Sequence, residues 1–144
     1  MSQEEHYRKL ENLMHSAPIV GLTGARARIG EGEARIDLQV RKEFHHAAGA
    51  MHGAIYFLLL DNAAFFAANS LVTDVFVLTS SFTVYFLRPV TRGSVQAVGR
   101  VVHSGSSQMI AESVAHDDRG RQVGRGSGVF VRSGQELTPQ MGYE

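Results

Sequence analysis

Asp61 is the residue of this sequence whose surroundings most suggest chemistry. It stands in the run His52–Ser70, HGAIYFLLLDNAAFFAANS, which has no Gly or Pro after Gly53, is rich in Ala and Leu, and is apolar on every side. Such a run reads as a helix of about 19 residues, about 28 Å long. A helix apolar all round must be buried in protein or in lipid. A central Asp costs about 2.5–3.5 kcal/mol on membrane-insertion scales, which favours a protein core. A lone ionisable group in such a place costs several kcal/mol unless it is paired or solvated. The same desolvation raises a carboxylate's pKa into the range useful to a nucleophile or general base. A structural role stands beside the catalytic one: Asp61 paired with an arginine from a strand, or set at an oligomer interface.

The start of this helix carries the second feature. The run Gly49-Ala50-Met51-His52-Gly53-Ala54 has no Ser, Thr, Asp or Asn to cap it. The first N–H groups of a helix lack internal partners and carry the positive end of the dipole. Gly53 keeps that end sterically open, so it can hold a carbonyl oxygen that becomes an oxyanion. A glycine here also serves ordinary close backbone packing. His45, His46 and His52 with Asp61 make a donor set that suits zinc, although adjacent histidines on an extended segment point opposite ways. Thr79, Ser80 and Ser81 offer hydroxyls without a spacing that marks a nucleophile. Arg88 and Arg92 flank Pro89, where they either meet phosphates or stay solvated.

These groups need elements to hold them. Ser2-Gln3-Glu4-Glu5 has the form of a capping box, followed by Tyr7, Leu10, Leu13 and Met14 at helical spacing, which predicts a short amphipathic helix over about 3–15. Ala25 and Ala27 alternate with Arg26 and Arg28. Gly30-Glu31-Gly32 then turns the chain into Ala34, Ile36, Leu38 and Val40, which alternate with charged or polar residues: a β-hairpin with one buried face. After the long helix (about 52–70), four strands follow: Phe82 to Phe86, stopped by Pro89, then 95–102, 109–116 and 121–131, separated by short turns that suit antiparallel neighbours. The tail over about 133–144 reads as loose. The expected architecture is α+β, one domain over 1–144, with a six-stranded antiparallel sheet wrapped around the long helix.

Composition narrows the function classes. The chain has 144 residues, 44% apolar and 19% charged, so it is globular and long enough for one real core. Fourteen basic side chains balance fourteen acidic ones, which leaves no broad field for nucleic acid or an anionic membrane. With no cysteine there is no disulfide, thiolate nucleophile or cysteine-ligated zinc. Residues 1–15 are polar and lack the apolar core of a signal peptide, so a cytoplasmic location is expected.

Gly49-x-x-His52-Gly53-Ala54, with Asp61 eight residues after Gly53, resembles the signature of the phenylacetate-degradation (PaaI-like) branch of hot-dog thioesterases. The resemblance covers about residues 20–132 by element order, and Pro89-x-x-x-Gly93 fits it too. It implies hydrolysis of acyl-CoA thioesters by a homo-oligomer, with a dimer as minimal active unit and a tetramer as the usual assembly, and no cofactor beyond the CoA of the substrate. It implies that Gly53 N–H polarises the thioester carbonyl and that Asp61 acts as nucleophile or as base for water. His52 and His46 would share the catalytic centre. Gly49, Met51 and Ala54 would face substrate, as would the hydroxyls of Thr79, Ser80 and Ser81; Tyr56, Phe57, Phe65 and Phe66 read as core, with Phe65 also assigned to the acyl pocket; no resident metal is implied. Three features depart from the family pattern: His46 replaces an Asn that orients water, Ala54 replaces a second Gly, and the pair Ser106-Ser107 stands where a basic residue is usual. The alternative function is a non-catalytic acyl-thioester binding module on the same fold. Hydration or dehydration of acyl thioesters is a third chemistry of the fold, which the Gly-x-x-His-Gly pattern does not suggest.

Overall fold

The computed structural model describes all 144 residues, Met1–Glu144. Helix α1 (Gln3–Ser16) begins at the foreseen cap, where the Ser2 hydroxyl accepts from Glu5 N–H at 3.1 Å. A short helix α2 (Pro18–Thr23) follows, which sequence pattern did not announce. Strands β1 (Arg26–Gly30) and β2 (Glu33–Gln39) form the hairpin, with Ala34, Ile36 and Leu38 turned into the core. Then come α3 (Gly53–Asn69), β3 (Val75–Phe86), β4 (Ser94–Ser104), β5 (Gln108–Asp117) and β6 (Gln122–Glu136). All neighbours pair antiparallel in one six-stranded sheet of order β1-β2-β4-β5-β6-β3, curled around α3. This is the hot-dog arrangement that the resemblance implies.

The helix is seated on the sheet by backbone proximity. A Cβ on Gly99 in β4 would fall 2.2 Å from the carbonyl carbon and oxygen of Ala63, so only glycine lets strand and helix touch there. Next to it, the buried Ser113 hydroxyl donates to Leu60 O at 2.8 Å, which fixes the turn that carries Asp61. Asn69 ties the far end of α3 to β3, its Oδ1 accepting Val77 N–H at 2.9 Å. Gly99→Ala is expected to cost about 3 kcal/mol, the upper part of the usual overpacking range, because neither backbone can yield. Chemical denaturation would show it as a lowered midpoint, and an unchanged midpoint would mean that helix and sheet can part without loss.

Two expectations are corrected. The tail from Ser133 is not loose: β6 runs to Glu136, which pairs with Val75, and the chain then turns onto α1. There the Tyr143 hydroxyl meets His6 Nδ1 at 2.6 Å, while His6 Nε2 donates to Asn69 O at 3.0 Å. Burial holds the His6 imidazole below its usual pKa. Nor is α3 buried all round. Its second half is enclosed, but Ala54 and Phe57 are exposed and Leu58, Asp61 and Asn62 only half-buried, so one face of the first half has no partner in the chain.

The two sheet edges differ. Along β1, the Glu11 carboxylate accepts Ile29 N–H at 2.7 Å and His15 Nε2 accepts Ala27 N–H at 2.9 Å, so α1 occupies that edge. The other edge, the 12-residue strand β3, is met by Asn69 only at Val75 and Val77; the rest of it has no such cover, and an uncovered long edge is a template for another strand.

Candidate active site

Asp61 is positioned from two elements. It sits in the middle of α3, and its Oδ1 accepts the Thr79 hydroxyl of β3 at 2.8 Å. That contact depends on an irregularity: Thr79 pairs with Phe130 but Ser81 with Val129, so Ser80 is the extra residue of a bulge. The bulge shifts the inward side from odd to even residues, and both Thr79 and Phe82 face the helix. Ser80 and Ser81 are exposed on the edge strand. No arginine, lysine or histidine forms an ion pair with Asp61. Within the chain, Asp61 is therefore not one half of a salt bridge.

The helix face that carries the carboxylate is otherwise aromatic. Phe57, Asp61 and Phe65 recur at spacing four on one helix face. Phe57 meets Phe82 at 5.4 Å between ring centroids, Phe82 meets Phe130 at 6.4 Å, and Phe130 meets Phe65 at 6.1 Å. Phe82 lies flat against β6 because Gly126 and Gly128 face it, where added Cβ atoms would come within 2.5 and 2.4 Å of the ring. Burial in this setting pushes the Asp61 carboxyl above the ordinary carboxylate range, and the Thr79 hydrogen bond opposes part of the rise. Phe65 itself packs on Phe66, Phe76 and Phe130 and is buried, so it braces this frame from the core rather than lining an open pocket.

The helix start is capped after all, by a residue type not counted as a cap. His52 Nδ1 accepts Ala54 N–H at 2.9 Å, which assigns His52 a positioning contact. The Gly53 N–H makes no hydrogen bond within the chain, and it remains the donor with a free direction at this end. Ahead of it, Gly49 adopts φ +84° and closes a tight turn in which His46 N–H donates to Ala50 O at 2.9 Å and His46 O accepts Gly49 N–H at 3.0 Å. His46 Nδ1 accepts Ala48 N–H at 3.0 Å, which leaves Nε2 as its outward nitrogen. Gly49 thus shapes the loop, and the buried Met51 holds it by donating from its N–H to Val90 O at 2.8 Å.

Gly53, His46, Met51 and Tyr56 share a groove of about 360 Å³ with Phe86, Leu87, Arg88 and Pro89. Phe86 lies beside Gly53, and Ala54 is exposed on the first turn next to it. The three histidines do not converge on Asp61: His45 Nε2 donates to Thr91 O at 2.8 Å, and His46 and His52 are used as above, so the zinc reading finds no ligand group. Sequence reasoning missed Phe82 and its glycine bed. Its signal was the spacing of Gly124, Gly126 and Gly128 on one strand face, which marks close packing.

The thioesterase superfamily model matches residues 48–123, more than half of the chain, and the chain belongs to that superfamily. The Escherichia coli PaaI protein, from the phenylacetic acid degradation operon, superposes with a TM-score of 0.86 at 21% identity, covering 94% of this chain and 99% of that one. The Pseudomonas aeruginosa thioesterase PA1618, solved as a mutant, gives a TM-score of 0.78 at 19% identity over 90% of this chain and 94% of that one. At these identities the two structures show the shared fold. The esterase-like protein SSO2140 of Saccharolobus solfataricus is 25% identical over 91 residues, which is 63% of this chain and 65% of that protein's length.

Proposed function

We propose that this protein hydrolyses acyl-CoA thioesters to free acid and CoA, with Asp61 as the catalytic carboxylate. The observation that carries the reading is a half-buried carboxylate, raised in pKa, bonded within the chain to one neutral hydroxyl and to no cation. A structural acid would have been paired, since an unpaired one is costly. Membership of the thioesterase superfamily gives the reaction class.

In this reading the thioester carbonyl oxygen lies at Gly53 N–H, where the helix dipole and a free donor favour developing negative charge. Acting as base, Asp61 takes a proton from water as its oxygen bonds to the carbonyl carbon; the C–S bond then breaks and the thiolate of CoA leaves to be protonated. Acting as nucleophile, Asp61 bonds to the carbonyl carbon itself, the C–S bond breaks as the CoA thiolate leaves to be protonated, and water then hydrolyses the resulting anhydride to free acid and the Asp61 carboxylate. His46 Nε2 is the hydrogen-bonding group that replaces the family's amide. Thr79 positions Asp61 and does not react.

Gly53 and Asp61 are eight residues apart on one helix, about 12 Å along its axis, too far to serve one carbonyl. The reading therefore uses two chains, paired at the open β3 edge so that each Gly53 faces the other's Asp61. The apolar residues left bare there support it: Phe57 is 41%, Leu78 48%, Tyr85 62% and Phe86 58% exposed. A homodimer is then the smallest active unit, with a tetramer as the further assembly expected. No helix is long and apolar enough to cross a membrane. No group beyond the CoA carried by the substrate is required.

The test is release of free thiol from a panel of acyl-CoAs, followed against pH. The active form of Asp61 is the anion, so activity falls as pH drops through its raised pKa. The acid limb is expected above the ordinary carboxylate range. Thr79→Val removes the bond that favours the anion and should move the limb further up, with the plateau rate less affected. A limb that stays put on this change would mean that some other group titrates there.

A further inference from the structure

We infer that the arginine-lined cleft beyond Pro89 binds the phosphates at the nucleotide end of the substrate. The inference rests on the acyl-CoA reading above and names how the rest of that substrate is held. The cleft, of about 310 Å³, is lined by Arg92, Arg119 and Arg121 together with Asp117, Asp118 and the segment 89–91.

The charges in it are not equivalent. Asp117 is consumed by its own turn: its Oδ1 accepts the N–H groups of Arg119 and Arg121 at 3.0 and 2.9 Å, and its Oδ2 pairs with Arg121 Nε at 2.8 Å. Desolvation would raise its pKa, but these bonds together outweigh it and hold the carboxyl below the usual value, so it stays an anion bound to this turn. Asp118 is set against Gly93, where an added Cβ would come within 2.3 Å of its Oδ2. The guanidinium groups of Arg92 and Arg119 have no acceptor or ion pair anywhere in the chain. Two unpaired planar cations on one cleft suit a phosphate, which guanidinium binds with paired N–H donors. With Asp118 counted, the lining keeps an excess of one positive charge, and since the whole chain has no net charge this excess is local.

Position links the cleft to the proposed site. Pro89 lines both the cleft and the groove that holds Gly53. The 88–90 segment is fixed relative to Gly53 by Tyr56 Oη–H to Arg88 O and Met51 N–H to Val90 O, each at 2.8 Å. A molecule with its carbonyl at Gly53 would pass Phe86, Leu87 and Pro89, which suit an uncharged arm, and reach the arginines with its phosphates. The β4–β5 hairpin, Gly105-Ser106-Ser107, carries no cation.

The experiment compares one acyl group on three carriers: CoA, 3′-dephospho-CoA, and N-acetylcysteamine, which has no phosphate. Arg92→Ala/Arg119→Ala is expected to raise KM for acyl-CoA about tenfold, with kcat and the N-acetylcysteamine kinetics unchanged, as fits the loss of two solvent-exposed charge contacts. A smaller effect with the dephospho carrier would assign the 3′-phosphate, and an equal effect the diphosphate; either supports the site. An unchanged KM for acyl-CoA, or an equal loss on all three carriers, would overturn it. Inorganic diphosphate that binds the cleft while CoA gains nothing over N-acetylcysteamine also overturns it, since the anion is then not the substrate's. If wild-type protein cleaves none of the three, the hydrolytic reading fails on its own. CoA is then titrated calorimetrically: binding weakened by the double substitution upholds the cleft, and no binding, or binding left unchanged, rejects it.

Discussion

Asp61→Asn is expected to fold as the wild type does and to lose at least about a thousandfold in kcat, within the range ascribed to a positioned acid or base. The change is nearly isosteric, and an amide oxygen still accepts the Thr79 hydroxyl. What disappears is the charge, and with it both the base and the nucleophile. Stability moves the other way. The folded-state pKa of Asp61 is raised, so between its unfolded and folded values the native state binds more protons, and stability falls as pH rises through that interval. Above it the anion is a net cost to the fold. Asn carries no such cost, so the variant should unfold at equal or higher temperature than wild type near neutral pH, and the difference should vanish in acid. A well-folded variant with wild-type turnover would remove Asp61 from the mechanism, whatever its surroundings suggest.

The same anomaly that makes Asp61 a candidate made it legible in the sequence. A charge in an otherwise apolar run, and a glycine at the start of that run, are local signals, and the structure puts both where helical geometry places them. The β2 alternation was equally plain. Reading failed where order depends on partners remote in sequence. Ser133–Glu144 has no apolar period, yet it is held by a strand beginning at Val75 and by His6 in α1. The start of β3 was missed for a different reason. Val75, Val77 and Thr79 point inward on odd numbers and Phe82 and Val84 on even ones, so the bulge at Ser80 breaks the period-two pattern into two short pieces. Helix α2, of six residues with Gly21 inside it, is too short for periodicity to show. At the site, the Thr79 contact and the aromatic frame follow from that bulge and from the β6 glycines; neither is visible without the pairing register.

The second large effect is expected from mixing two dead proteins. Asp61→Asn lacks the carboxylate, and Gly53→Leu fills the open helix end, where even a Cβ would already press on Phe86 at 3.2 Å. Each homodimer should be inactive, because both of its sites have the same defect. In a mixed dimer the defects segregate. Gly53 of the Asp61→Asn chain faces an intact Asp61, which makes one complete site, while the other site carries both lesions. Random exchange makes half of the dimers mixed, each with one site of two, so activity should return to roughly a quarter of wild type. A site contained within one chain predicts the opposite, since every chain in the mixture would then carry a lesion in its own site. Subunit exchange is followed separately with differently tagged chains. Full exchange without recovered activity would refute the shared site and would require Gly53 and Asp61 to act on different parts of the substrate.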